Sequence, residues 1–237
     1  MNVTCLRGTT SGRQMLKKPL TGFVLGLCLT GFGMLGEANA TPITVQNYSF
    51  ETLPAGGLPF TFGSAAWSID TIPGWNNSGS TGQQIFNGYD GNPAASDGIY
   101  AAFADNSPIW QTVTTAVAGT TYTLQTDIMH RTDVGMGGII QLEIDGTVVT
   151  TGVGTDAGAG TWNTWTATYT ATAADAGKAI TIVLSNNGTP GYQGNFDNVR
   201  LDATAVPEPA TISFFGIGGL AMAGARFKKR RKSQAVT

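Results

Sequence analysis

The sequence predicts an all-β protein, an antiparallel sandwich of short strands set between two apolar end segments. Three observations carry that expectation. Between residues 41 and 205, apolar and polar residues alternate over several short stretches, and no sustained helical period competes with them. Glycine is abundant, at 33 residues, and Gly, Pro, Asn and Asp separate the alternating stretches as turns do. Long apolar runs flanked by basic residues stand at the two ends of the chain.

At the N-terminal end, Arg7, Arg13, Lys17 and Lys18 precede an apolar run over residues 20–35, and Ala38-Asn39-Ala40 supplies a small-x-small cleavage site. Residues 1–40 therefore read as a signal peptide, with Thr41 the first residue after it. Cys5 and Cys28 both fall in this segment. The span 41–205 then has neither a disulfide nor a thiol nucleophile.

The strands follow in order. Early pieces at residues 43–45, 67–69, 99–103 and 109–113 are irregular, and Gly, Pro, Asn and Asp lie between them. Residues 122–128 put Tyr122, Leu124 and Ile128 on one face and Thr123, Gln125 and Asp127 on the other. Ile140, Leu142 and Ile144 repeat the pattern, and Asp145-Gly146 predicts a type I′ hairpin into residues 147–151. Trp165, Ala167 and Tyr169 alternate with threonines. Ile180, Ile182 and Leu184 form the next strand, and Val199 with Leu201 closes the domain. Residues 171–176 read as a turn rather than a helix. Short strands with turns between them predict an antiparallel sandwich over residues 41–205.

The C-terminal end has three parts. Val206, Pro207, Glu208 and Pro209 come first, then an uncharged run over residues 210–225, then Arg226, Lys228, Lys229, Arg230, Arg231 and Lys232. The run would span about 24 Å as a helix, somewhat short of a hydrocarbon core of ~30 Å, with Phe227 and snorkelling basic stems to extend it. Basic residues on one side only keep that side cytoplasmic. This order of parts resembles the PEP-CTERM protein-sorting signal. The resemblance implies recognition by exosortase, a membrane protease or transpeptidase, over residues 206–232, with 233–237 a short tail.

Setting both ends aside, residues 41–205 hold thirteen of the fifteen acidic residues and only three of the thirteen basic ones, a net charge of −10. Such a domain does not attract nucleic acid, and its carboxylates are free to meet Ca²⁺.

A second resemblance spans the domain. Asn47-Tyr-Ser-Phe-Glu51, Ile72-Pro-Gly-Trp75, Ile109-Trp-Gln-Thr-Val113, Ala118-Gly-Thr-Thr-Tyr122 and Phe196-Asp-Asn-Val-Arg-Leu201 are similar to segments of galactose-binding-like jelly rolls, the fold of many carbohydrate-binding modules. The resemblance implies that the first and last strands lie together and that Gly-Thr-Thr-Tyr joins neighbouring strands. It also implies a structural Ca²⁺ held by Asn47, Glu51 and Asp197. The alternative for Asn47 and Asp197 is capping of strand ends by side-chain hydrogen bonds.

Aromatic side chains are the usual platform for a sugar ring. Trp75 follows Pro-Gly in a turn, Tyr89 stands beside Asp90, and Trp162 follows a Gly-rich stretch; these three are the expected ligand contacts. Trp165 and Trp67 are expected in the core. Catalysis finds little support. His130 is the single histidine, at a strand end, so no zinc site can be assembled, and no Gly-x-Ser-x-Gly elbow is present. The expectation is a non-catalytic protein, exported, transiently in the inner membrane through its tail, and then at the cell surface or in the extracellular matrix. Its expected partners are exosortase and an extracellular polysaccharide. A glycoside hydrolase built on two facing carboxylates and a purely structural adhesion protein are the alternatives.

Overall fold

The computed structural model describes residues 39–86 and 88–205. Of the expected signal peptide, residues 1–40, all but the last two residues lie outside the described residues, as do the sorting residues from Val206 to Pro209 and the apolar run at 210–225. No helix among the described residues is long and apolar enough to cross a membrane.

The strands are β1 (Ala40–Ile43), β2 (Phe60–Phe62), β3 (Ala65–Ser68), β4 (Asn76–Asn77), β5 (Thr81–Ile85), β6 (Ala101–Ala104), β7 (Ile109–Thr115), β8 (Thr120–His130), β9 (Gly135–Met136), β10 (Gly138–Ile144), β11 (Thr147–Thr151), β12 (Thr161–Thr170), β13 (Ala179–Asn186) and β14 (Tyr192–Ala205). The larger sheet runs β12-β8-β14-β6-β5-β3-β2, with β1 and β9 also paired to β14. The smaller runs β11-β10-β13-β7-β4. All pairings are antiparallel except β9 with β14.

Two-residue alternation builds the core. Tyr122, Leu124 and Ile128 of β8 and Phe196, Val199 and Leu201 of β14 face Ile140, Leu142 and Ile144 of β10 and Ile180, Ile182 and Leu184 of β13, all buried in one apolar cluster. The Asp145-Gly146 hairpin forms as expected, with both residues at positive φ, 53° and 78°. The first and last strands are adjacent, with Ala40 opposite Thr204 and Ile43 opposite Leu201. Residues 173–175 make one 3-10 turn between strands.

The structure corrects three expectations. The Gly-Thr-Thr-Tyr segment does not join neighbours in one sheet; it carries the chain from β7 in the smaller sheet to β8 in the larger. Tyr122 pins that corner by accepting a hydrogen bond from Val117 N–H at 2.9 Å. Trp75 is not an exposed loop residue. It is 4% exposed, its ring centroid is 5.4 Å from that of Phe50, and its indole N–H donates to the Asn47 carbonyl at 3.2 Å. The turn at Pro73-Gly74 sets the indole against Phe50, itself fully buried. Trp67, expected in the core, lies on the opposite face of the larger sheet.

Truncation separates the two kinds of aromatic. Trp75→Ala is expected to cost about 3–5 kcal/mol in denaturant unfolding, as removal of a buried aromatic does. Phe62→Ala, at a side chain 65% exposed, should stay within about 0.5 kcal/mol of the parent. Equal losses at both positions would refute this division.

Candidate functional site

The larger sheet has a second face, away from the core, and a cleft of about 330 Å³ lies on it. The same alternation that sends Phe196 inward sends Gln193 and Asn195 of β14 outward, with Gln84 of β5, Phe103 of β6 and Trp67 of β3 alongside. Trp67 and Gln84 are direct cross-strand partners. Phe62, Phe86, Tyr89 and Arg131 close the cleft from loops and strand ends.

Aromatic contacts shape the walls. Phe60 stacks on Trp67 with centroids 5.9 Å apart, and Phe62 meets Tyr89 edge-on at 5.8 Å. Tyr89 lies over the β2–β3 turn, where a Cβ on Gly63 would sit 3.1 Å from its ring. Gly63 also has φ of +59°, so both the close approach and the backbone call for glycine there.

A chain of polar side chains runs across the floor. Ser80 O–H donates to Asp105 Oδ2 at 2.6 Å, and Gln193 Nε2–H donates to Asp105 Oδ1 at 2.7 Å. Arg131 Nη1–H donates to Gln193 Oε1 at 2.8 Å, and the guanidinium lies 5.1 Å from the Phe86 centroid. Arg131 is also held by Asp133 through two hydrogen bonds, one at 2.8 Å from Nε. Burial by itself would raise the Asp133 carboxyl; the hydrogen bonds and charge of Arg131 outweigh it and hold the group below its ordinary value. Deeper in, Gln84 Nε2–H donates to Asn195 Oδ1 at 2.6 Å.

A second polar cluster lies along the same strand. Asp197 is fully buried, where β14 shifts register against β8 between Asp197 and Arg200. Its Oδ2 accepts Asp97 N–H at 2.8 Å and its Oδ1 accepts Asn198 N–H at 2.7 Å. Ser96 Oγ is 3.0 Å from Oδ2 of both Asp197 and Asp127. One hydroxyl proton cannot serve two carboxylates, so this geometry suits one carboxyl that carries its own proton. Burial pushes Asp197 from 3.8 up to about 7, against the lowering effect of its hydrogen bonds. Asp127 has other partners, Thr164 O–H at 2.6 Å, Asn198 Nδ2–H at 3.0 Å and Arg200 at 3.7 Å.

Glu51 holds the other side of the same loop, its Oε1 accepting Ile99 and Tyr100 N–H at 2.7 and 2.8 Å. Phe50, at φ +57°, turns the backbone that delivers it. Asn47 spends its amide on Thr52 and Pro73, accepting Thr52 N–H and donating to both carbonyls. Calcium requires six to eight oxygens directed at one centre. Here Glu51 Oε1 and both Asp197 oxygens are engaged by N–H and O–H donors rather than directed at one centre. Among the described residues, no group of three or more Asp, Glu, His or Cys could hold a metal. The two carboxylates clamp residues 96–100.

Of the three expected ligand contacts, Tyr89 alone lines the cleft. Trp75 is core, and Trp162 is partly buried with its indole N–H donating to the Ala94 carbonyl at 2.8 Å. Trp165 is partly buried against the core cluster, with its ring where a Gly154 Cβ would fall. His130 ends β8, its Nδ1 3.0 Å from Asp156. Of the cleft residues, Trp67 was expected in the core, and Phe103 and Asp105 carried no site expectation. Phe103 and Asp105 stand two apart, a same-face signature the sequence does contain.

Comparison with known proteins sets this geometry in a class. The chain belongs to the HpiC1-like cyclase family, whose model matches residues 41–202. Residues 205–231 match the PEP-CTERM protein-sorting motif, so the chain carries an exosortase sorting signal directed to the cell surface. Among solved structures it is similar to the Stig cyclase Fisc from Fischerella sp. TAU, in complex with (3Z)-3-(1-methyl-2-pyrrolidinylidene)-3H-indole. The TM-score is 0.57 at 21% identity, covering 70% of this chain and 100% of that one. A cyclase from Fischerella sp. TAU in complex with 4-(1H-indol-3-yl)butan-2-one gives 0.55 at 22% identity, covering 70% and 99%. The CBM22-1 xylan-binding domain from Paenibacillus barcinonensis Xyn10C gives 0.42 at 9% identity, covering 71% and 96%. Comparison with curated protein sequences returned no match. The family membership overturns the expectation of a non-catalytic protein: the domain that resembled a carbohydrate-binding module is that of a cyclase family.

Two measurements probe the carboxylate clamp. A carboxyl with a raised folded-state value contributes stability that is complete below its ordinary 3.8 and is lost as pH rises through about 7. The stability of the parent relative to Asp197→Asn is therefore expected to fall steadily between pH 4 and 7; a pH-independent difference would refute the neutral carboxyl. Melting in millimolar Ca²⁺ and in EDTA is expected to coincide. A Ca²⁺-dependent rise abolished by Asp197→Ala would instead establish the metal site that the jelly-roll resemblance implies.

Proposed function

We propose that the chain is an exported cyclase of this family that takes a compact aromatic small molecule into the cleft on the larger sheet and promotes its cyclisation or rearrangement. The observation that carries the reading is the cleft itself: five aromatic side chains, Phe62, Trp67, Phe86, Tyr89 and Phe103, around a hydrogen-bonded carboxylate at Asp105. Ring closure needs the reacting ends of a flexible molecule held together and water kept away, and apolar walls supply both. Asp105 is the polar group that can orient the bound molecule. Ser80 and Gln193 hold it in one rotamer at no cost in charge. The sizes of the ligands named for the Fischerella cyclases support an indole-sized occupant.

The test is calorimetric titration of the full-length chain with 4-(1H-indol-3-yl)butan-2-one, the ligand of one of those cyclases. Trp67→Ala is expected to weaken binding by about tenfold, the value of an aromatic wall, with melting little changed. Phe103→Ala, at a side chain 4% exposed, should weaken binding and also lower the melting temperature. Trp162→Ala, outside the cleft, should bind as the parent does. Cleft variants that bind normally would sink the proposal. Polysaccharide binding is the second reading, favoured by polar Gln193 and Asp105 beside the same aromatic walls. Retention on glycan arrays that is lost in Trp67→Ala, with no response to the indole, would select it.

A further inference from the structure

Asp105 is the one acidic side chain lining the cleft, and its charge is not balanced there. Both of its oxygens accept from neutral groups, the Ser80 hydroxyl and the Gln193 amide. Three ion pairs occur among the described residues, joining His130 to Asp156, Arg131 to Asp133, and Arg200 to Asp127; none includes Asp105. Arg131 is the only cation lining the cleft, and it is already committed. Asp133 grips it through two hydrogen bonds, its Nη1 serves Gln193, and its plane rests against Phe86. Gln193 stands between the two charges, accepting from Arg131 through its oxygen and donating to Asp105 through its nitrogen. The cleft thus presents one uncompensated negative charge, with the aromatic rings of Trp67, Phe103 and Tyr89 lining the space beside it.

A neutral apolar molecule entering this space would strip water from the carboxylate and return nothing for it. A cation would be met by a charge-assisted hydrogen bond and by aromatic faces together. We infer that the cleft is built for an aromatic compound bearing a protonated amine or iminium nitrogen, which Asp105 receives while the aromatic walls enclose the ring. The inference rests on the cleft being the substrate site and adds the charge of the substrate to that reading. The volume of about 330 Å³ suits a bicyclic aromatic with a short amine-bearing arm.

Three probes of one size and different charge test it on the full-length chain by calorimetry: tryptamine, its neutral counterpart tryptophol, and the anion indole-3-acetate. Tryptamine is expected to bind at least about tenfold more tightly than tryptophol, with indole-3-acetate the weakest. Asp105→Asn should bring tryptamine to the level of tryptophol, whereas Asp156→Asn, at the His130 pair, should preserve the preference. Raising the salt concentration supplies a readout independent of any variant's folding: it should narrow the gap by weakening tryptamine alone. Equal binding of tryptamine and tryptophol by the parent chain would overturn the charge inference and leave the cleft reading standing. Absence of binding by all three would overturn both.

Discussion

Strand β14 is hydrogen-bonded along both edges, and most of the described domain depends on that pairing. On one side β8 follows it from Phe196 to Ala205. On the other, β6 takes the first part and β1 the last, so that Phe196 lies between Ile128 and Ala102, and Leu201 between Leu124 and Ile43. The strand is fourteen residues long and joins three otherwise separate pieces of chain. A strand paired along most of both edges offers little free backbone to a further partner. It also brings the start of the domain to its finish: Thr204 is opposite both Ala40 and Thr121, two residues before Val206 opens the sorting motif. The folded domain therefore reaches to the edge of the segment that the sorting machinery reads.

The same strand sorts the two faces. Even-numbered Phe196 enters the core, while Gln193, Asn195 and Asp197 point the other way into polar networks. The register shift after Asp197 lets Val199 and Leu201 return to the core on odd positions, so one strand supplies the cleft floor, the buried carboxyl and the core in succession. Local backbone cost accompanies this. Asn198 sits at φ +52°, in a region that asparagine tolerates better than bulkier residues. The clamp on residues 96–100 and the cleft are consequences of that arrangement, built from opposite ends of the chain and held at one strand.

The charge on the domain takes on a particular meaning in the structure. With three basic residues among residues 41–205, Arg131 and Arg200 are both engaged by carboxylates, at Asp133 and Asp127. Acidic groups that find no cation take neutral donors instead, as Asp105 takes Ser80 and Gln193 and Asp175 takes Thr172 and Tyr169. A low cation count thus leaves a carboxylate uncompensated inside an aromatic cleft, which a more balanced composition would have paired.

The sequence by itself determined the strands with a clean two-residue period, the hairpin at Asp145-Gly146, the turn at residues 173–175 and the meeting of first and last strands. Those features depend on neighbours a few residues away, or on motifs whose order is preserved. It also held the sorting motif, whose parts are contiguous. Only the tertiary structure decided which tryptophan lines the cleft. Trp75 and Trp67 have similarly ambiguous local surroundings, and the outcome depends on what distant chain covers each: Phe50 and the Asn47 carbonyl close over Trp75, while Trp67 keeps Phe60 beside it and the cleft before it. Asp105 was equally hidden, because its role comes from Gln193, eighty-eight residues away, and from the prior engagement of Arg131. Alternation says which face a side chain takes; the partners that arrive on that face from elsewhere in the chain decide what it can do there.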